Sequence, residues 1–309
     1  MPVVQVMTYA ALLAGLAAML AKVLRYVGAP EHFRWELYPV PHEKGRAEYG
    51  GSYLEELDWW SQPRHAAFLR ELREMAVEIF LLKGVFRHNR KVWRFSWPFH
   101  MGLYISIGWL GLLLIGAIVE ASGGSVSGRA GGFGSIIHLV TIITGYVGMS
   151  MAGIGAFGLL IWRLTDRDQR PYNAPIDYFN LAFFVLVIAL ALAGHLTLDP
   201  SFTALKAYVT SLVKFSSPPA MPAVLAAEIV LGSLLLAYIP LTRMSHFVAK
   251  YFLYHAVRWN DIPSERGGKI ERRIAAMLLQ RVGWKASHIQ TGQTWTDVVK
   301  EMKNEKPQA

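Results

Sequence analysis

Four histidines, His100, His138, His195 and His246, fall inside long apolar stretches of this 309-residue chain. An ionisable side chain in an apolar membrane segment is costly, and where one occurs it usually serves a function. Imidazole has two chemistries to offer there. It relays protons, and it ligates haem iron, which accepts one axial histidine from each of two facing helices.

Five elements have to position these residues. Crossing a bilayer takes about 20 consecutive apolar residues in a helix, and the windows 3–21, 96–119, 133–162, 178–198 and 223–249 meet that length. The first is uncharged. The next three are uncharged apart from His100, His138 and His195. The fifth contains Glu228 and, near its end, Arg243 and His246. Each window reads as a single helix that satisfies its own backbone in lipid. The expected fold is an all-α integral membrane five-helix bundle. It comprises a membrane domain over 1–255, a long cytoplasmic loop over 28–95 and a cytoplasmic tail over 256–309. Lys22 and Arg25 follow the first apolar run instead of preceding it, which predicts a retained span and not a secretory signal.

Charge sets the expected orientation. Lys and Arg crowd the loop between spans one and two, the link at 163–170 and the tail, while the opposite links hold only Arg129, Lys206 and Lys214. The positive-inside pattern therefore puts the N-terminus outside and the C-terminus in the cytoplasm of a prokaryotic inner membrane. It also accounts for the formal net charge of +9 with membrane lipid, and not nucleic acid, as the partner. The chain has no cysteine, which excludes disulfides, iron–sulfur clusters and thiolate metal sites on it. Covalent c-type haem, which needs a Cys-Xaa-Xaa-Cys-His run, is excluded as well.

Alternating span direction then sorts the histidines by depth. His100 opens span two and His246 closes span five, so both lie near the cytoplasmic face. His138 opens span three and His195 closes span four, so both lie near the outer face. Two depth-matched pairs predict two b haems, each held by two imidazoles. Such sites leave no open iron position and suit electron transfer. Taken singly, each histidine has a plainer role as a hydrogen-bonding group between helices. Thr141, Gly145, Gly148 and Ala152 share a face of span three with His138, and small residues there admit either a macrocycle or a neighbouring helix.

Several further residues are candidates. Glu228 sits near the depth of His195, where a carboxyl is expensive unless paired or protonated. It is a candidate acceptor for a quinol proton, or a structural hydrogen bond to another helix. Lys206 is a candidate for a quinone site. Arg94 and Arg243 are candidates for haem propionates, because arginine forks suit carboxylates; both also serve as inside-facing anchors. Residues 64–86 read as an amphipathic helix with Phe68, Leu72, Met75, Ile79 and Leu82 on one face, lying on the bilayer or docking a partner. A second amphipathic piece, 202–213, is placed to roof the outer side. A helix is expected at 269–280 of the tail, and disorder at 301–309.

The motif Phe99–His100–Met101–Gly102 opening span two, and Pro240 with Thr242–Arg243–Met244–Ser245–His246 closing span five, resemble the gamma subunits of respiratory nitrate reductases. That resemblance covers about 1–255. It implies a five-span dihaem cytochrome b that oxidises quinol on the outer side and passes electrons to a cytoplasmic iron–sulfur partner. In that family the second haem is also held by spans two and five, and its ligand positions correspond here to Leu110 and Glu228. The outer haem is therefore assigned to His138 and His195 by depth alone. The loop motifs at 35–43, 49–53, 58–60 and 84–90 are similar to a branch associated with heterodisulfide-reductase-like iron–sulfur proteins, including the transmembrane redox complexes of sulfate reducers. This branch implies menaquinone as the quinone and leaves the direction of electron flow open. A variant takes electrons from a periplasmic cytochrome c.

Two other classes compete with this reading. A transporter or channel subunit would use the histidines as a proton relay. A passive membrane anchor would use the long loop to recruit soluble enzymes.

Overall fold

Apolar windows fold as helices here because a helix closes its own backbone hydrogen bonds wherever water is excluded. The computed structural model describes residues 3–29, 45–46, 49, 55–58, 61, 68–252 and 266–304. Among them the chain is helical, with α1 (Val3–Val27), α2 (Phe68–Leu81), α3 (Lys83–His88), α4 (Arg90–Ala121), α5 (Gly132–Thr165) and α6 (Pro175–Leu198). There follow α7 (Thr203–Val213), α8 (Ala223–Leu241), α9 (His246–Ala249), α10 (Lys269–Leu278) and α11 (Trp295–Asn304). Five of these, α1, α4, α5, α6 and α8, are long and apolar enough to cross a membrane. Their outward faces agree with that use: Leu13, Leu16, Ile107 and Ile154 are all more than six-tenths exposed.

The chain divides into two compact units, 1–19 with 77–243, and 20–76 with 244–309. In the first unit α4 packs against α5, α5 against α6, and α6 against α8, while the short α7 lies against α4. The α4–α5 contact is backbone to backbone. A Cβ on Gly102 would lie 2.2 Å from the Ala152 amide nitrogen, and one on Gly155 would lie 2.4 Å from that of Phe99. One on Gly148 would lie 2.8 Å from the Ser106 hydroxyl oxygen. The small-residue face of α5 thus serves close approach to a neighbouring helix, the commoner of the two uses open to it.

The first turns of α1 join this unit by polar contacts. Gln5 Nε2 donates to Ser211 Oγ at 3.1 Å and to the Ser216 carbonyl at 2.8 Å. The Thr8 hydroxyl lies 2.8 Å from Tyr208 Oη and 3.2 Å from Ser233 Oγ, and Tyr9 Oη donates to the Leu212 carbonyl at 2.7 Å. Gly15 admits the backbone of α8, since a Cβ there would be 3.2 Å from the Leu236 carbonyl oxygen. That carbonyl lacks the usual helical donor, because residue 240 is proline and carries no N–H.

Span five is shorter than the apolar window suggests. Pro240 lies in the last turn of α8, the helix ends at Leu241, and Thr242 adopts extended backbone. A 3-10 turn (Arg243–Ser245) follows, and His246 begins the separate α9. His246 therefore starts an element instead of closing span five.

The second unit holds the end of α1 together with the tail. The tail helix expected at 269–280 is α10. Beyond it, antiparallel bridges pair Arg281 with Thr294 and Ala286 with Ile289. Val282, Ile289 and Val298 form a small buried core, with Ala286 and Trp295 packed on it. Residues 301–304, expected to be disordered, belong to α11, and 305–309 lie outside the described residues. The loop motifs at 35–43, 50–53 and 59–60 also lie outside them.

Candidate functional site

Trp93, Trp97, His100 and Tyr104 recur at helical spacing on α4, and three of them receive the end of α2. The last carbonyls of a helix have no partner inside it. Here Tyr104 Oη donates to the Ile79 carbonyl at 3.3 Å, Trp97 Nε1 to Phe80 at 3.0 Å and Trp93 Nε1 to Leu81 at 2.8 Å. Leu82 then turns the chain in the left-handed region (φ 50°), and its side chain is buried. Glu78 Oε2 accepts from the Gly84 amide at 2.9 Å, which fixes the turn into α3. The amphipathic helix expected at 64–86 is thus two helices broken at Leu82. The three aromatic donors are missed by the amphipathic pattern; their signal in the chain is Trp93, Trp97 and Tyr104 spaced four and seven residues apart on one helix.

His100 lies among these donors. Its Nδ1 is 2.7 Å from the Ser96 carbonyl oxygen, with Ser96 Oγ at 3.3 Å. A carbonyl only accepts, so Nδ1 carries the hydrogen, and in the neutral ring the lone pair is on Nε2. The neighbouring Phe99 sets its ring edge-on to His100 at 5.5 Å and to Phe184 on α6 at 5.2 Å. His246 belongs to the second unit and is exposed. Beside it the buried Ser245 accepts a hydrogen bond from Lys22. Arg94 and Arg243 are both exposed.

The other end of the first unit holds a denser cluster. His195, in the last turn of α6, is fully buried. Its Nδ1 lies 3.3 Å from the Asp199 carbonyl oxygen and 3.5 Å from Asp199 Oδ2. Its Nε2 lies 3.1 Å from Glu228 Oε1, in the second turn of α8. Asp199 in turn accepts backbone N–H groups at the start of α7, from Ala204 to Oδ1 at 3.0 Å and from Leu205 to Oδ2 at 3.1 Å. It caps one helix and faces the histidine of another. Phe202, buried and left-handed (φ 53°), sets its ring 4.4 Å from His195, 5.0 Å from Tyr146 and 5.2 Å from Trp109. Gly145 makes room for it, since a Cβ there would lie 2.8 Å from the Phe202 ring.

The cluster has two unpartnered polar atoms. Glu228 Oε2 and Trp109 Nε1 are buried without a hydrogen-bond partner among the described residues. Glu228 itself is only 7% exposed.

His138 and Lys206 fall elsewhere. Both border a small cavity with Phe202, Thr141 and Val126, of about 10 Å³. Lys206 is ion-paired to Glu120 at 3.0 Å and also donates to the Val126 carbonyl. Thr210 donates to the other Glu120 oxygen at 3.1 Å. Lys206 therefore clamps α7 onto the end of α4. Of the remaining histidines, His88 and His288 are described, and His32, His42, His65 and His255 lie outside the described residues.

These placements bear on haem. His100 has its Nδ1–H engaged by a backbone carbonyl, an arrangement also seen around metal-bound imidazoles. A haem shared by His138 and His195 does not fit the residues as placed. Both His195 nitrogens are already engaged by oxygen atoms, of Asp199 and of Glu228. The cavity beside His138 has room for one water, whereas cofactor sites run to about 300 Å³ or more. Phe202 borders that cavity and packs on His195.

Comparison with family models, with curated proteins and with solved structures finds no match to this chain.

Proposed function

We propose that this chain is the membrane cytochrome b subunit of a respiratory complex in a prokaryotic inner membrane. It exchanges electrons between menaquinone and a cytoplasmic iron–sulfur partner of the heterodisulfide-reductase type. His100 and His246 would hold a b haem toward the cytoplasmic side. When bound, that group supplies one-electron transfer without an open iron position. The second haem expected from depth is left out of the proposal, because the surroundings of His195 do not suit it.

The observation that supports the reading best is the fixed tautomer of His100. Its Nδ1–H is held by the Ser96 carbonyl at 2.7 Å, inside a helix that is apolar for more than the width of a bilayer. Two sequence features agree with it. The absence of cysteine assigns any iron–sulfur cluster to a partner. The crowding of Lys and Arg on one side orients the chain with its N-terminus outside.

A reduced-minus-oxidised visible spectrum of the purified chain tests the proposal. A b-type spectrum that is lost in both His100→Ala and His246→Ala is expected. A folded, membrane-inserted chain without such a spectrum would overturn it. That result would favour a proton-relaying transporter, a reading to which the buried His195–Glu228 contact also lends itself.

A further inference from the structure

We propose that His195 and Glu228 form a proton-sharing pair positioned by Asp199, and that this pair is a proton-binding site and not an iron site. The argument begins with hydrogens. His195 Nδ1 faces the Asp199 carbonyl oxygen at 3.3 Å and its carboxylate at 3.5 Å. Both are acceptors, so Nδ1 carries a hydrogen. That puts the lone pair of the neutral ring on Nε2, facing Glu228 Oε1 at 3.1 Å. A bare carboxylate against that lone pair would be repulsive, and burial would make it worse. One proton between Nε2 and Oε1 removes the conflict. It sits either on Glu228, as acid beside neutral imidazole, or on His195, as imidazolium beside carboxylate. The pair carries no net charge in either arrangement.

Asp199 determines what a second proton does. Its carboxylate accepts two amide N–H groups at the N-terminus of α7. A doubly protonated pair therefore places imidazolium against the Asp199 carboxylate, with Glu228 neutral. Proton uptake is compensated within the cluster. Glu228 Oε2 is buried without a hydrogen-bond partner among the described residues, so it has lone-pair capacity left for a further donor.

Of the other charged and titratable groups around the cluster, Lys206, Tyr146 and Tyr208 have partners of their own. Lys206 on α7 is paired with Glu120 of α4. Tyr146 on α5 donates to the Pro200 carbonyl at 3.0 Å, and Tyr208 on α7 contacts Thr8 at 2.8 Å. His138 borders the cavity beside Lys206. No Lys or Arg among the described residues forms an ion pair with Glu228 or Asp199. His195, when protonated on both nitrogens, is then the cation that faces both acidic groups.

The test is a pH titration of the full chain in lipid nanodiscs without quinone. It follows the His195 ring nitrogens by nitrogen-15 NMR and the Glu228 carboxyl by infrared difference spectroscopy. The two groups are expected to respond together, as coupled sites do. Nδ1 stays protonated throughout. Glu228→Gln, which keeps the shape, is expected to abolish the shared response, and Asp199→Asn to alter it. Independent titrations, or a His195 titration unchanged in Glu228→Gln, would overturn the proposal. So would loss of a haem from the chain in His195→Asn. The readout needs neither haem nor quinone, so failure of the cytochrome reading leaves it intact, and its own failure leaves the His100 and His246 site standing.

Discussion

His195 Nε2 and Glu228 Oε1 stand 3.1 Å apart, tying the last turn of α6 to the second turn of α8. Breaking a buried charged pair by removing one partner typically costs about 3–5 kcal/mol, because the other is left uncompensated. Glu228→Ala is therefore expected to destabilise the bundle by about that amount. Glu228→Gln retains a hydrogen-bonding partner and should cost about 1–2 kcal/mol. Reversible unfolding in detergent or bicelles separates the two. Equal losses for Ala and Gln would show that shape, and not the hydrogen bond, matters at this contact.

Where the pair feeds a quinone reaction, Glu228→Gln should also lower quinol oxidation at unchanged haem content. A loss of about a hundredfold to ten-thousandfold is in the range of removing a general base. Full activity with unchanged haem would separate the pair from the quinone step.

Much of this arrangement was legible in the chain. Windows free of charge place five helices, and alternating direction puts Glu228 and His195 at one depth. Depth does not specify rotation about a helix axis, however. His138 shares that level but borders the small cavity beside Lys206, so the pairing of His195 with Glu228 instead of His138 could not be read from spacing. The stripe of Gly145, Gly148 and Ala152 was ambiguous for a similar reason. Small residues admit any close neighbour, and the neighbour here is α4. Pro240 was visible, but a proline near a helix end either kinks or stops it, and only the extended Thr242 shows that it stops. The tail core was hidden because Val282, Ile289 and Val298 come from separated short elements without a shared period.

The glycines of the α4–α5 seam make a paired test. A methyl at Gly102 would meet backbone of Ala152 and Gly148, at 2.2 and 2.7 Å, which cannot swing aside. Gly102→Ala should destabilise by at least the roughly 1–3 kcal/mol of ordinary overpacking. Gly108 lies on the same helix with nothing within 4 Å of its added Cβ. Gly108→Ala should be neutral or stabilising by up to about 1 kcal/mol, the helix-propensity gain. Similar behaviour of the two variants in an unfolding experiment would refute the seam.

The aromatic clamp on α2 predicts a local effect. Trp93→Phe and Trp97→Phe keep the ring but remove the N–H that satisfies the Leu81 or Phe80 carbonyl. Each should weaken docking by about 1 kcal/mol, the net worth of a hydrogen bond. Hydrogen exchange should quicken over residues 77–88 and stay unchanged in α6. Unchanged exchange at 77–88 would place the docking energy in the apolar contacts alone.

The tail supplies a pH prediction with a definite sign. The Thr294 side-chain and backbone hydrogen bonds hold the Asp297 carboxyl below its ordinary value. They form a reciprocal cap, with Asp297 Oδ2 accepting from the Thr294 amide at 3.1 Å and Thr294 Oγ1 accepting from the Asp297 amide at 3.2 Å. A carboxyl whose folded pKa is depressed favours folding at pH above its unfolded value, and that contribution disappears as pH falls through the folded value. The cap on α11 should thus be intact at neutral pH and weaken only in acid, beginning near the ordinary carboxylate range. Thr294→Ala removes the side-chain hydrogen bond and should raise the Asp297 pKa toward normal, so that amide exchange in α11 is already faster at neutral pH and changes less on acidification. Faster exchange at neutral pH than in acid for the wild-type chain, after correction for intrinsic rates, would contradict this sign.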